Sequence, residues 1–158
     1  MSLDQATFRA VLGRFASGVT IVTARDASGL DHGMTASAFC SLSLEPPLVL
    51  VCVERIATVH PVLMAAREFV VNILAAGQEA VSRRFAERID DRFTGIGFRR
   101  GVTGAAILHE ALAHVECEMR DRHAGGDHTV FVGEVIAAEA REDGPLLYYR
   151  GGYAGLER

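Results

Sequence analysis

The residues best suited to chemistry form a run of small and polar side chains. From Gly33 to Ser43 the sequence reads GMTASAFCSLS, so threonine and serine alternate with alanine and few side chains are large. A flat ring could lie against such a segment, because small side chains leave backbone N–H and C=O groups accessible and hydroxyls line the edge. The pattern is also typical of a strand whose small-residue face packs on a neighbour. The residues alone leave both interpretations open.

A second candidate is an anion site at Thr58. This residue opens a predicted helix over residues 58–67, whose first turn contains Pro61. The N-terminus of a helix offers free backbone N–H groups and a favourable dipole to a phosphate. A threonine there can also simply cap its own helix. A ring platform beside a phosphate site would suit a flavin nucleotide.

Other common sites are not indicated by the sequence. Gly95-Ile96-Gly97 lacks the third glycine of a dinucleotide fingerprint, because Arg100 stands in that position. There is no P-loop and no nucleophile elbow. The six histidines are not spaced as ligands on one helix face, so we expect no metal site. Asp90-Asp91 is interpreted as a solvated loop rather than a catalytic carboxylate pair.

Composition and charge argue against nucleic acid and membrane partners. The chain has 158 residues and a net charge of −4, without a run of Lys or Arg. We find no signal-peptide pattern and no apolar run long enough to cross a bilayer. Cys40, Cys52 and Cys117 lie in apolar or alternating segments. They are predicted to be reduced core thiols of a cytoplasmic protein.

The elements that must position these residues are mostly strands. An apolar stripe predicts an opening helix, with a capping box at Ser2 and Gln5 and an end before Gly18. Strands are predicted over 19–23, 36–44, 48–53, 69–74, 115–120, 129–138 and 146–149, and further helices over 58–67 and 78–85. Leu48–Val53 is predicted to be buried on both faces, and Gly133 to mark a bulge. One mainly β, barrel-like domain over residues 1–158 is expected.

Several segments occur in an order and spacing that are specific only when taken together. They are Phe8-Arg9, Gly18–Thr23, Gly33–Phe39, Ser41–Val53, Phe69–Leu74, Asp91–Phe93, His128–Val135 and Pro145–Tyr153. In these segments the chain resembles the flavin reductase-like domain family, whose fold is the FMN-binding split barrel. The resemblance covers nearly the whole chain. It implies a mainly β protein with short α-helices, a Greek-key-like split β-barrel that forms a homodimer.

The activity implied by the resemblance is reduction of FMN or FAD by NADH or NADPH, with the reduced flavin passing to a partner monooxygenase. The cofactors carry the hydride chemistry, and the protein holds their rings in reach of each other. Two other functions stay open. One is a non-catalytic flavin store or electron carrier on the same fold, and the other is a flavin-dependent reductase of another small acceptor.

The resemblance also implies roles for individual residues. The residues expected to bind the flavin are Met34, Thr35, Ala36, Ser37 and Ala38 along the ring, Cys52, Val53 and Glu54 along the ribityl chain, Thr58 at the phosphate, Arg92 and Phe93 at the border, and Tyr153 closing the pocket. His128 is expected to be catalytic on the open side of the ring, where the nicotinamide stacks, and to orient its amide or pass a proton.

One departure from the family concerns the phosphate. The family usually carries small polar residues ahead of the threonine, where this chain has Ile56 and Ala57. Phosphate contacts are therefore expected from Thr58, Arg55 and backbone amides. Arg99-Arg100 is a candidate for the 2′-phosphate of NADPH, although a solvated loop is the simpler interpretation.

Overall fold

The computed structural model describes residues 2–157, which form mainly antiparallel strands. The helices are α1 (Gln5–Leu12), α2 (His60–Ala65) and α3 (Glu79–Ala86). The strands are β1 (Ser17–Gly18), β2 (Thr20–Arg25), β3 (Asp31–Ala36), β4 (Phe39–Ser43), β5 (Leu48–Glu54), β6 (Glu68–Ile73), β7 (Phe98–Arg100), β8 (Ala106–Leu108), β9 (Ala113–Gly125), β10 (His128–Ala140), β11 (Leu147–Tyr149) and β12 (Gly152–Ala154). None of the helices is long and apolar enough to span a bilayer.

The main sheet is curled. Its seven strands follow the order β3-β2-β6-β9-β10-β5-β4, so β3 and β4 are its edges. A flat sheet of this size would hold its edges about 30 Å apart, yet only Ser37 and Ala38 separate β3 from β4 in the chain. Three Cα steps span at most roughly 11 Å, so the sheet must bend back on itself. Within residues 2–157 no strand pairing joins β3 to β4, and the barrel stays open at this seam.

Strand β5 shows how the core sits inside the curl. Val49, Val51 and Val53 are buried, while the alternating Leu48, Leu50 and Cys52 are half-buried. The prediction that this strand is buried on both faces is therefore wrong for the chain as described. Its inner face packs in the main hydrophobic core, and its outer face retains solvent contact.

Helix α1 differs from its prediction at both ends. The Asp4 carboxylate caps it by accepting a hydrogen bond of 2.8 Å from the Thr7 N–H, so the predicted Ser2–Gln5 capping box is wrong. The helix ends at Leu12 with Gly13 as C-cap, and Gly18 belongs to β1. None of its residues is buried. Its apolar stripe is largely exposed, with Phe8 at 53%.

A hairpin of β7 and β8 lies where the sequence indicated only a loop. Asn72, on β6, is fully buried and fixes this hairpin to the sheet. Its Nδ2 donates to the Ile21 carbonyl at 3.1 Å, and its Oδ1 accepts from the Leu108 N–H at 2.9 Å. The Thr23 hydroxyl donates to the Ala106 carbonyl at 2.6 Å. Strands this short lack the periodicity that sequence patterns detect.

The turn of the same hairpin is held by a buried carboxylate. Glu116, only 3% exposed, accepts hydrogen bonds from the Thr103 N–H at 3.0 Å and from its hydroxyl at 2.9 Å. Burial alone would raise the pKa of Glu116, but the two Thr103 hydrogen bonds, with smaller effects of the Val102 N–H and of His114, together outweigh it and lower the pKa. Gly101 allows the approach, because a Cβ there would lie 2.5 Å from the carboxylate oxygens. Thr23, Asn72, Thr103 and Glu116 are called the buried polar cluster below.

Gly133 lies beside an irregularity in the β9–β10 pairing, as predicted. The register shifts between Val132 and Gly133. A Cβ at Gly133 would lie 2.5 Å from the ring of Phe69. Glycine is therefore needed for close packing as well as for the shift.

The cysteines are free thiols in different environments. Cys117 is buried, and its burial raises the pKa of the thiol to about 12. Cys52 is half-buried and Cys40 is exposed. The prediction of core thiols is therefore confirmed for Cys117 and wrong for Cys40, whose strand β4 is a sheet edge with an uncovered face.

Candidate functional site

An open cavity of about 620 Å³ lies against the edge strand β3. Its other walls are the turn that follows β5 and the end of α3 with the loop after it. Of the residues expected at the flavin, the lining contains Met34, Thr35, Glu54, Thr58 and Arg92. The volume falls in the range of roughly 300–1,000 Å³ that is typical of small-molecule sites.

Strand β3 offers unpaired backbone groups to this cavity. It is a sheet edge and pairs only with β2. The Gly33 carbonyl accepts a hydrogen bond of 2.7 Å from Arg92, so the backbone of Gly33 faces away from β2. Since backbone direction alternates along a strand, the N–H and C=O of Thr35 face the same way. A planar ligand with donors and acceptors along one edge can pair with these groups.

The side chain of Thr35 is held by α3. Its hydroxyl donates to the Ser82 carbonyl at 2.6 Å, so that oxygen can still accept a hydrogen bond from a ligand but its proton is already used. The hydroxyl of the buried Ser82 bonds the Tyr153 hydroxyl at 2.7 Å. Tyr153 does not line the cavity. Through this bond it supports α3, and its expected role in closing the pocket stays a prediction.

Arg92 joins the loop after α3 to strand β3. Besides its bond to Gly33, its Nε donates to the Glu87 carbonyl at 2.9 Å. Burial lowers the pKa of its guanidinium without neutralising it. The adjacent Phe93 packs edge-on against Phe85 with ring centroids 5.1 Å apart, and it is packed against a second hydrophobic cluster that includes Phe85 and Leu74. Phe93 therefore positions this wall and does not line the cavity.

Thr58 lies in the cavity wall but does not open a helix. Helix α2 begins at His60, and its N-cap position is Val59, without a side-chain cap bond. The predicted helix over 58–67 is thus too long at both ends, and Thr58 lies two residues before the first residue of α2. What remains at the turn is the Thr58 hydroxyl beside the apolar side chains of Ile56 and Ala57.

His128 is adjacent to the cavity although it does not line it. It pairs across the sheet with Glu54, and directly opposed residues have side chains on one face about 5 Å apart at Cβ. Its Nδ1 lies 2.6 Å from Oδ1 of Asp127. This hydrogen bond, with a smaller effect of the Arg55 charge, lowers the pKa of Asp127. An ionised carboxylate only accepts, so Nδ1 carries the proton and Nε2 is left for a ligand.

Other expected flavin contacts lie apart from the cavity. The side chains of Ala36 and Val53 are buried in the main core. Ser37 and Ala38 are exposed at the seam between β3 and β4, and Cys52 lies on the outer face of β5. None of these five residues is part of the cavity lining, and their contacts with a flavin stay a prediction.

The end of α3 and the loop after it supply wall residues that the sequence did not indicate. They are Phe85 and Ala86 on the helix and Arg88, Ile89 and Asp90 in the loop. The charge-rich run next to Arg92 is the only signal that could have indicated them, and it was interpreted as a solvated loop. That interpretation holds for Asp91, whose carboxylate accepts from the Phe93 and Thr94 N–H groups at 2.9 and 3.2 Å.

The Arg99-Arg100 pair is engaged elsewhere. Arg100 makes two bonds of 2.7 and 2.8 Å to the Asp31 carboxylate. Arg99 pairs with Glu139 at 2.8 Å. Neither lines the cavity, so the suggestion of a 2′-phosphate contact there has no support in the geometry.

The chain is similar to known proteins over almost its whole length. The family model described as "Flavin reductase like domain" matches residues 12–157. The reductase subunit HsaB of a flavin-dependent monooxygenase from Rhodococcus jostii is 42% identical over 157 residues, which are 99% of this chain and 80% of HsaB. A flavin reductase (NADH) from Kitasatospora aureofaciens is 40% identical over 156 residues, covering 96% of this chain and 82% of its own.

A solved structure gives the same result. The NADH:FAD oxidoreductase SgcE6 of Streptomyces globisporus C-1027, in complex with NAD and FAD fragments, superposes with a TM-score of 0.93 at 39% identity. The match covers 99% of this chain and 98% of that one. Sequence, family model and fold coincide over almost the full length, and the chain therefore belongs to the flavin reductase-like family.

Proposed function

We propose that this protein is an NAD(P)H:flavin oxidoreductase, which reduces FMN or FAD with NADH or NADPH and supplies reduced flavin to a partner monooxygenase. The observation that carries the proposal is the cavity at β3, whose lining joins the edge strand residues Met34 and Thr35 to Glu54, the residue directly opposite His128 in the sheet. The names of its relatives, a flavin reductase (NADH) and a monooxygenase reductase subunit, support the same reaction.

The residues of the chain are proposed to bind the flavin and to orient the nicotinamide nucleotide against it. A bound flavin supplies a ring that accepts a hydride. The Thr35 N–H would donate to the polar edge of that ring, where negative charge grows on reduction, and the Thr35 hydroxyl, which already donates to Ser82, would accept. Asp127 fixes the ring tautomer of His128, whose Nε2 orients the nicotinamide amide or takes part in proton transfer.

Both nucleotides are proposed to meet in this one cavity. Every strand pairing among the described residues is antiparallel, so the described part contains no parallel Rossmann unit for NAD(P)H. Sharing a cavity suits a flavin that is released once it is reduced. A stopped-flow trace in which all reduced flavin stays bound would contradict release.

A homodimer is part of the proposal. The apolar stripe of α1, with Phe8, Val11 and Leu12 each at least half exposed, and the half-buried outer face of β5 both need a cover. A second copy of the chain can bury them. Light scattering is expected to give twice the chain mass, and a monomer mass would contradict the dimer. The free thiols favour a cytoplasmic location.

The decisive experiment follows the absorbance of NADH or NADPH with purified protein and FMN, FAD or no added flavin. We expect oxidation that depends on added flavin and saturates with it, and the two flavins will be ranked by their half-saturation. Flavin binding without any NAD(P)H oxidation would instead identify a flavin store or carrier. Oxidation that needs a different acceptor would identify a reductase of that acceptor.

A further inference from the structure

The turn that follows β5 offers little to an anionic ligand. Ile56 and Ala57 line the cavity with apolar side chains, and only Thr58 adds a hydroxyl. A phosphate monoester carries close to two negative charges at neutral pH. Hydrogen bonds to ionised donors are about twice as strong as those between neutral groups, so a cation elsewhere in the wall is the stronger phosphate ligand.

Two arginines line the cavity, and they differ in what they already bind. Arg92 is committed to the Gly33 and Glu87 carbonyls at 2.7 and 2.9 Å. Arg88 is exposed, and its side chain has no hydrogen-bond or ion-pair partner among residues 2–157. Its guanidinium is therefore available, with a planar fork of donors that matches a phosphate.

Arg55, the cation within this turn, is not part of the cavity lining. Its charge acts on Asp127, whose pKa is lowered first by the His128 hydrogen bond and further by Arg55. Arg55 thus belongs to the Asp127 side of the turn.

The charge balance of the wall also depends on Arg88. Glu54 and Asp90 are the lining carboxylates, and Arg88 and Arg92 the lining arginines. These charges cancel when all four are ionised. Without Arg88 the wall becomes net negative and repels an anionic nucleotide.

We propose that Arg88 binds the phosphate of the nucleotide held in this cavity, in place of the polar side chains that Ile56 and Ala57 do not provide. The proposal rests on the proposed function only for the identity of that nucleotide. The phosphate belongs either to the flavin or to the nicotinamide nucleotide. Riboflavin separates these two sources, because it is FMN without the phosphate and removes only the flavin phosphate from the assay.

The test compares wild type with Arg88→Gln in two assays. In the first, FMN and riboflavin are titrated by quenching of flavin fluorescence. In the second, the KM for NADH is measured with riboflavin as the acceptor, so that no flavin phosphate is present. A flavin phosphate at Arg88 weakens FMN binding about tenfold in the variant and leaves riboflavin unchanged. A nicotinamide nucleotide phosphate at Arg88 instead raises the KM for NADH about tenfold.

Arg67→Gln removes the same charge from an exposed site outside this cavity and is expected to change neither assay, whereas Arg88→Lys restores part of the lost affinity. The proposal is overturned if Arg88→Gln matches wild type in both assays, or if FMN and riboflavin weaken equally. If wild type oxidises no NADH but binds FMN through Arg88, the proposed function fails and the Arg88 assignment stands.

Discussion

The buried polar cluster and the cavity at β3 both place polar groups at the edge of the hydrophobic core, but they differ in how those groups are satisfied. In the cluster each side chain bonds another part of the same chain, as Asn72 does to Ile21 and Leu108. At the cavity the outward-facing backbone groups of Thr35 and the guanidinium of Arg88 have no such partner in the described part of the chain, residues 2–157. Polar groups that are paired internally stabilise the fold, whereas polar groups left open to solvent in a concave wall can bind a ligand.

The largest effect on folding is expected in the cluster. Asn72→Ala removes three buried hydrogen bonds and leaves the Leu108 N–H unpaired, so we expect a loss of about 3 kcal/mol in the free energy of unfolding. Urea denaturation measures it. Thr23→Val, which removes a single hydroxyl bond, is the milder control at about 1 kcal/mol. A loss below that of Thr23→Val would show that the cluster does not hold the hairpin.

A steric change next to Glu116 should also destabilise the buried polar cluster. In Gly101→Ala the new Cβ would lie 2.5 Å from the Glu116 oxygens and would push the carboxylate away from Thr103. We expect a loss of about 2 kcal/mol in the free energy of unfolding. Gly155→Ala, with no heavy atom within 4 Å of the added Cβ, is the control. Equal stability of the two variants would show that the carboxylate has room to move.

At the cavity side, a substitution should affect activity and not folding. His128→Gln removes the imidazole next to Glu54. It is expected to lower flavin-dependent NADH oxidation about tenfold, because the imidazole is proposed to orient the nicotinamide amide or to take part in proton transfer. Thermal unfolding should not change, because within residues 2–157 the only side-chain bond of His128 is to the exposed Asp127. Unchanged steady-state kinetics would remove His128 from the reaction.

The smallest effect is a pH dependence in the cluster. Because the pKa of Glu116 is lowered from 4.5 in the folded protein, its ionised form stabilises the fold above pH 4.5. That contribution is lost as the pH falls through the folded-state pKa. The difference in unfolding free energy between wild type and Glu116→Gln, about 1 kcal/mol at neutral pH, should therefore shrink in acid. A constant difference would mean that the carboxylate charge contributes nothing.

The sequence predicted the long strands well, because β-branched and alternating residues report burial directly. Strands β2, β6 and β10 lie where they were expected. The hairpin of β7 and β8 could not be found in this way, because three-residue strands show no period and this pair is fixed by Asn72 from another strand. The capping of α1 by Asp4 in place of Ser2 is a local choice between neighbouring polar residues that sequence patterns do not resolve.

The site could be predicted only where it lies on regular elements. Met34, Thr35 and Glu54 line one cavity because an edge strand and the end of β5 lie close together in the curled sheet. Arg88 was missed because loop conformation depends on tertiary bonds, here those of Arg84 to the Asp91 and Arg92 carbonyls. The sequence also did not predict which way each side chain points. Val53, for example, points into the core.

The central claim is that the cavity at β3 binds the flavin, and filling it tests this most directly. Ala86 is exposed at the end of α3 and lines the cavity, whereas Ala80 is exposed on the same helix outside it. FMN titrations of Ala86→Trp and Ala80→Trp form a matched pair with equal added bulk. The account predicts that Ala86→Trp weakens FMN binding at least about tenfold while Ala80→Trp binds like wild type. Wild-type affinity in a folded Ala86→Trp protein would contradict it.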